Sequence, residues 1–378
     1  MSRHLAWFFL AAAMLVVNAP LQALTYEVGG CKTGASWVNF TTISAAVIGV
    51  PAGSTIEVCP GVYPEQVTIT QPLTLKGIAF NNASRAVIRM NPNGSLGPNV
   101  NGLFSEFYAQ VLVQNVNPPG PVDLIGITVD GAGINFDCQG IEFLAGIFYA
   151  SGTTGTVDEV TARNQLSSGC GWGIWVENGN ATNQSITIEN SSVHPGGIIA
   201  LTCQNPPTLA VTIKGNFLNS GPQTYEINNF GAISVAAANG SILGNVITGG
   251  QYGITTGNDV YCQGSGTVTV SQNIVADLQI GSFQINGSGV ITSNKLSNVQ
   301  YPFSIFANTT DTQSPTTIKD NTAMNSSKAV DFYYCATTDW TVTGNIFNDA
   351  QIAFYASPSS IAGNTLYNID TIRAGACI

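Results

Sequence analysis

Short runs of alternating apolar and polar residues, each closed by a glycine- or asparagine-bearing turn, fill most of the chain. Ser185 to Val193, SITIENSSV, followed by Gly196 to Ala200, GGIIA, is one copy. AVTIKGN then GAISV, GSILGN then GITT, and TVTVSQN then GSFQI repeat it, and GVITSN, TTIKDN, TVTGN and SIAGN follow. Alternation with period two predicts strands with one buried face. The turn asparagines at 190, 216, 245, 273, 294, 321, 345 and 364 are separated by 26, 29, 28, 21, 27, 24 and 19 residues. Short strands repeating with a variable period in the twenties predict a β-solenoid in which asparagines stack between coils as a ladder.

Upstream the pattern changes. Thr41 to Val50 places Ile43, Ala46, Val47 and Val50 on one side of a short helix, ended by Pro51-Ala52-Gly53. Strands are expected over Ser54–Val58, Gln66–Thr70 and Leu73–Leu75, with a turn at Pro60-Gly61. A solenoid end is an open sheet edge, so a helix there serves as a cap. Residues 81–121 read as looser coils with loops, and regular coils resume at Val122. The stretch SAAVIGVPAGSTIEVCPGVYPEQVTITQPLTLKG, Ser44 to Gly77, resembles the N-terminal cap and first coil of the right-handed parallel β-helix, or pectin-lyase-like, superfamily. The resemblance implies an all-β fold: one right-handed parallel β-helix of about a dozen coils over residues 24–378, with 24–60 as its cap.

Gly61-Val62-Tyr63-Pro64-Glu65 is similar to the Gly-x-Tyr-x-Glu element of pectin methylesterases. The other motifs of those enzymes, strings like QAVAL and DFIFG, do not occur. Nor do the Asp-Asp and Gly-His-Gly of polygalacturonase-like hydrolases. Asp137, Glu142 and Asp158 do not form the calcium-binding aspartate cluster of pectate lyases. No metal site or cofactor is therefore expected; calcium enters only under a lyase reading.

Composition narrows the picture. Among 378 residues only 8% are charged, the net charge is −10 and the pI is about 4.4, so no nucleic acid is expected as partner. Met1 to Ala23 has the short basic start, apolar core and small-residue end of a secretory signal, and no later stretch is apolar enough to span a bilayer. A secreted monomer, extracellular or periplasmic, is the expectation. Eight cysteines in the exported part read as disulfides. Cys31 and Cys59 bracket the cap and are expected to staple it; coil alignment pairs Cys138 with Cys170, and Cys203 with Cys262 and Cys335 with Cys377 then pair across two coils.

Candidate chemistry comes from aligning the coils. In ITVD, Ile127 and Val129 face inward and Thr128 and Asp130 outward. Matching outward pairs are Thr161 and Arg163, Thr187 and Glu189, Thr212 and Lys214, with Glu159 on the same face. This alignment predicts a line Asp130, Arg163, Glu189, Lys214. One interpretation is a catalytic face of a polysaccharide lyase, hydrolase or esterase, with Asp130, Arg163 and Glu189 as catalytic groups. The other is a ladder of inter-coil ion pairs, which alternating sign favours. His194 beside Pro195 reads as a turn residue. Trp172, Trp175 and Glu177 in GCGWGIWVEN, together with Lys214, are the candidate substrate-binding residues, because rings stack on the C–H faces of sugars. Tyr333, Tyr334 and Trp340 form a second aromatic group. A threonine column raises ice binding, which flanking charges oppose. The reading that results is a non-enzymatic, carbohydrate-contacting solenoid, with the polysaccharide-active enzyme as the alternative.

Overall fold

The structure, a computed structural model, describes residues 25–32, 37–81, 85–90, 96–103, 106–134, 143–165, 171–221, 231–257, 266–286, 288–305, 316–332, 340–355 and 360–374. Strands dominate it, and they join into two long sheets, of 14 and 20 strands among the described residues, parallel except for the pairing of Val100–Asn101 with Glu106–Phe107. Each coil contributes one strand to the first sheet. It then turns sharply and contributes one or two to the second. In one coil these strands are Gln184–Glu189, Ser192–His194 and Ile198–Thr202.

Alternation fixes which side chains enter the tube. In the first sheet Ile56, Leu75, Leu124, Val157, Ile188, Ile213, Ile242, Val270, Ile291, Ile318 and Val342 stand in register and are all buried. Each such burial contributes about 2 kcal/mol, and a one-residue slip would turn the whole column outward. The register is set by the turn. From Gly126 onward its first residue is left-handed in ten coils: Gly126, Glu159, Asn190, Gly215, Gly244, Gln272, Ser293, Asp320, Gly344 and Gly363 all have φ between 52° and 67° except Asn190 at 49°.

The next residue carries the ladder. Asn216, Asn245, Asn273, Asn294, Asn321, Asn345 and Asn364 stack. Each Oδ1 after the first accepts both the backbone N–H and the Nδ2–H of the preceding asparagine at 2.8–3.0 Å. Asn190 is not a rung: it is the left-handed residue, and Ser191 takes the ladder place, donating its N–H to Asn216 Oδ1 at 2.9 Å. TIEN is one residue shorter than TIKGN, which is why the asparagine spacing misplaced it.

Beyond Ile274 the two strands of the second sheet merge into single long ones, Ile274–Asn286, Lys295–Ile305, Thr322–Phe332, Ile346–Tyr355 and Thr365–Ala374. A left-handed residue (Asp277, Asn298, Asn325, Asp349 or Asn368) kinks each of them. This accounts for the shorter repeat there.

At the N-terminal end the predicted helix covers Ile43–Gly49. Thr42 Oγ1 accepts the Ala45 N–H at 3.1 Å, and Ile43, Ala46 and Val47 join the core. The Glu65 carboxylate accepts the N–H groups of Ile43 and Ser44, both at 2.8 Å, and Tyr63 donates its hydroxyl to the Cys59 carbonyl at 2.8 Å. The Gly-Val-Tyr-Pro-Glu element thus acts here by satisfying orphan donors at the helix start. Cys31 and Cys59 are bonded, as expected. Cys203 is disulfide-bonded to a cysteine outside the described residues, and the pairs Cys138–Cys170 and Cys335–Cys377 also lie outside them. Among the described residues no helix is long and apolar enough to cross a membrane.

Candidate functional site

The second sheet presents its short strands as a flat outer strip. One outward column runs in unbroken register through Val62, Val87, Thr128, Thr161, Ser192, Phe217, Val246, Ile274, Lys295, Thr322, Ile346 and Thr365. A second, two residues further along each strand, begins Arg89, Asp130, Arg163, His194 and continues from Asn219 through Thr248, Ala276, Ser297, Met324 and Asn348 to Tyr367. At ~4.8 Å per strand the strip is about 50 Å long. Between the columns Ile88, Val129, Ala162, Val193, Leu218, Ile247, Val275 and Leu296 point into the core, so the outward assignment is unambiguous.

The strip is unusually apolar for an exposed surface. Of the eleven large apolar side chains exposed among the described residues, six stand on it: Val62, Phe217, Ile274, Met324, Ile346 and Tyr367. Scattered singly such residues carry no message; here they share one face. Between them stand hydroxyls and amides: Thr248, Ser297, Thr322 and Asn348.

The N-terminal end of the strip is ionic. Asp130 is buried, at 1% exposure. Its Oδ2 accepts Arg163 Nε at 3.1 Å and Nη2 at 2.9 Å, and Arg89 Nε at 3.1 Å together with Arg89 Nη2. Its Oδ1 accepts Asn164 Nδ2 at 2.8 Å and the Ala132 N–H at 3.0 Å. Burial pushes the Asp130 carboxyl up, but the hydrogen bonds from Asn164, Arg89, Ala132 and Arg163 outweigh it and hold the carboxyl at about 2. A carboxylate so weakly basic, with its lone pairs occupied, is suited to orienting arginines rather than to taking a proton. His194 follows Arg163 in register, on the strand Ser192–His194 rather than in a turn, and its Nδ1 lies 3.3 Å from Ser192 Oγ.

The predicted line of Asp130, Arg163, Glu189 and Lys214 therefore divides. Asp130 pairs in register with Arg163, but Glu189 and Lys214 belong to the first sheet, aligned with Asp158. There Lys214 Nζ meets Glu189 at 3.0 Å on the outside of the tube. The cause is local: Gly126 is the turn residue equivalent to Glu159 and Asn190, so ITVD lies after the turn whereas TIE lies before it. The threonines divide likewise, Thr128 and Thr161 in one sheet, Thr187 and Thr212 in the other. Glu159 sits in the turn and pairs with Arg85 at 2.6 Å.

Trp172, Trp175 and Glu177 lie on the strand Gly171–Asn178, on a neighbouring outer face. A second apolar cluster, separate from the core of the tube, forms there from Phe107, Phe148, Trp172, Trp175, Ile199 and Leu201. The antiparallel pairing of Val100–Asn101 with Glu106–Phe107 covers it. Trp172 is 6% and Trp175 2% exposed, so a sugar would reach these rings only after that cover moved. Glu177 is buried with them. Its Oε2 accepts the Leu103 N–H at 3.2 Å and Trp175 Nε1–H at 3.3 Å, and burial, which these bonds only partly offset, raises its carboxyl from 4.5 to about 7.

A further buried carboxylate escaped the sequence reading. Asp331 accepts Lys328 Nζ at 3.1 Å, and burial raises its carboxyl. In register it pairs with Ser304, between the core residues Phe303 and Ile305, so the alternation of KAVDF places it on the outer side and carries no signal of its burial.

No protein-family model matches the sequence, and no curated protein matches it. Solved structures do. A hyperthermoactive exopolygalacturonase from Thermotoga maritima aligns over 84% of each chain at 11% identity, with a TM-score of 0.52. A double mutant of the tailspike protein of E. coli bacteriophage HK620 aligns over 88% of this chain at 12% identity, with a TM-score of 0.58; the chain spans 62% of that tailspike. Identities this low establish the fold alone.

Proposed function

We propose that this chain, a right-handed parallel β-helix of the pectin-lyase-like kind, is a secreted carbohydrate-binding protein whose contact surface is the exposed strip. Residues 1–23 are its export signal, and the helix Ile43–Gly49 caps a solenoid of about a dozen coils. The carrying observation is the register of half-exposed apolar side chains, Phe217, Ile274, Ile346 and Tyr367, along one straight face, with hydroxyls and amides between them. A polysaccharide offers the complementary surface: apolar C–H faces alternating with hydroxyls along an extended chain. The neighbouring structures include an exopolygalacturonase by name, which agrees with this class of ligand.

The test is retention on immobilised plant, algal and bacterial polysaccharides. The double variant Phe217→Ser, Ile274→Ser changes two exposed positions and leaves the core intact. Retention of the parent on at least one glycan, weakened tenfold or more in the variant, supports the reading. Equal retention of both proteins overturns the strip as the surface, and release of sugar products overturns the non-enzymatic part.

The alternative is a lyase, hydrolase or esterase. One observation favours it: Glu177 carries a carboxyl near 7, the value a general acid–base needs. Product release lost in Glu177→Gln would assign the chemistry there; loss in Asp130→Asn, Arg163→Gln or Glu189→Gln instead would assign it to the ionic residues. Calcium dependence of that release would mark a lyase.

A further inference from the structure

Asp130 uses only half of each arginine beside it. It engages the Nε–Nη2 edge of both Arg89 and Arg163. A planar guanidinium has a second edge, Nη1–Nη2, that binds an oxyanion through two parallel N–H groups. Among the described residues neither Nη1 donates a hydrogen bond. Both arginine side chains are 36% exposed. Because both guanidiniums approach one oxygen, they lie within about 6 Å of each other, too close to be held by chance on a flexible surface.

The charge count points the same way. Two guanidiniums against one carboxylate leave a local charge of +1 in a chain of net −10. Glu159, in the turn before the strand that carries Arg163, is matched by Arg85. The next rungs along the strip bring Ser192 and His194. In the adjacent column Val87, Thr128 and Thr161 stand beside Arg89, Asp130 and Arg163. We propose that Arg89 and Arg163, oriented by Asp130, form a bidentate oxyanion site at the N-terminal end of the strip, for a sulfate or carboxylate group. The site stands whether or not a glycan lies along the rest of the face.

Calorimetric titration of the full chain with sodium sulfate, in chloride-free buffer of low ionic strength, tests the site. Arg163→Gln and Arg89→Gln should each weaken sulfate at least tenfold, and their combination should abolish binding. The pair Arg89→Lys, Arg163→Lys keeps the charge and loses the planar edge, so it too should lose tenfold or more; it also serves if a glutamine variant fails to fold. Lys214→Gln, an equal charge change off the strip, should bind as the parent does. Unaltered sulfate binding in both double variants means an adventitious ion only and overturns the site, as does absence of binding to the parent. Oligogalacturonate and dextran sulfate then identify the source of the oxyanion, with neutral dextran as control. Loss of sulfate binding while a neutral glycan is still retained separates this site from the strip's apolar contacts.

Discussion

Asn245→Ala is the most informative single substitution in the solenoid. The side chain is wholly buried. Its Oδ1 accepts the N–H of Asn216 at 2.9 Å and Asn216 Nδ2 at 3.0 Å. Its Nδ2 donates to the Ile213 carbonyl at 3.0 Å and to Asn273 Oδ1 at 2.9 Å. Alanine removes the partner of a buried backbone donor and of a buried backbone acceptor, at about 1–3 kcal/mol each. The expected loss is therefore about 2–6 kcal/mol. Asn364→Ala, at the last rung, removes equivalent bonds to Asn345 and Val342, but the site is partly exposed and water takes them over, so about 1 kcal/mol is expected. Amide hydrogen exchange reads these losses locally, as a solenoid unfolds coil by coil. A loss near 3 kcal/mol speeds exchange on the order of 100-fold around Asn216. If Asn245→Ala exchanges no faster there than Asn364→Ala, the ladder is not what holds the turns.

Three further outcomes follow from the charges and the cross-link. The folded chain keeps the Glu177 proton up to about pH 7, whereas an unfolded glutamate loses it near 4.5, so the contribution of Glu177 to folded stability is greatest below 4.5, falls as pH rises through this window by up to about 3 kcal/mol, and levels off above it. Glu177→Gln should flatten that slope; thermal midpoints at pH 5 and 8 that differ equally in both proteins would refute it. Asp130 has the opposite sign: its ion-pair contribution is present above about 3.8 and lost as pH falls through about 2, so Asp130→Asn should lower the midpoint at pH 7 and much less at pH 2. Cys31→Ser, Cys59→Ser opens a link spanning 28 residues, and a loss of about 3 kcal/mol, seen in denaturation at the N-terminal end, is expected; an unchanged midpoint would contradict it.

The tube was legible in the sequence because its determinants are local and repeated. Alternating Val and Ile placed the inward columns correctly, down to Ile127 and Val129. The face of each charge was less legible, since it depends on which side of a two-residue turn a strand falls. Gly126 and Asn190 mark that turn in different coils with different residues, so Asp130 and Glu189 look equivalent in sequence yet belong to different sheets. Arg89 was missed because residues 81–121, rich in Asn, Pro and Gly, read as looser coils with loops, so no strand was expected over Val87–Arg89. Exposure of Trp172 and Trp175 was illegible for another reason: the segment covering them comes from some 70 residues upstream, and pairing of that kind leaves no periodic trace.

The asparagine ladder also bears on how this chain acquired its length. Asn273 and Asn294 occupy the same rung position, and Ile274 and Lys295 pair in register immediately after them. Excising residues 274–294 would join Asn273 to Lys295 with every turn angle, rung and inward column still in place, one storey lower. Each such unit is a quantum of reach that gene duplication or slippage can add or remove without redesigning its neighbours. The molecule's height is thus a heritable variable separate from its fold, free to follow the length of whatever lies along its side.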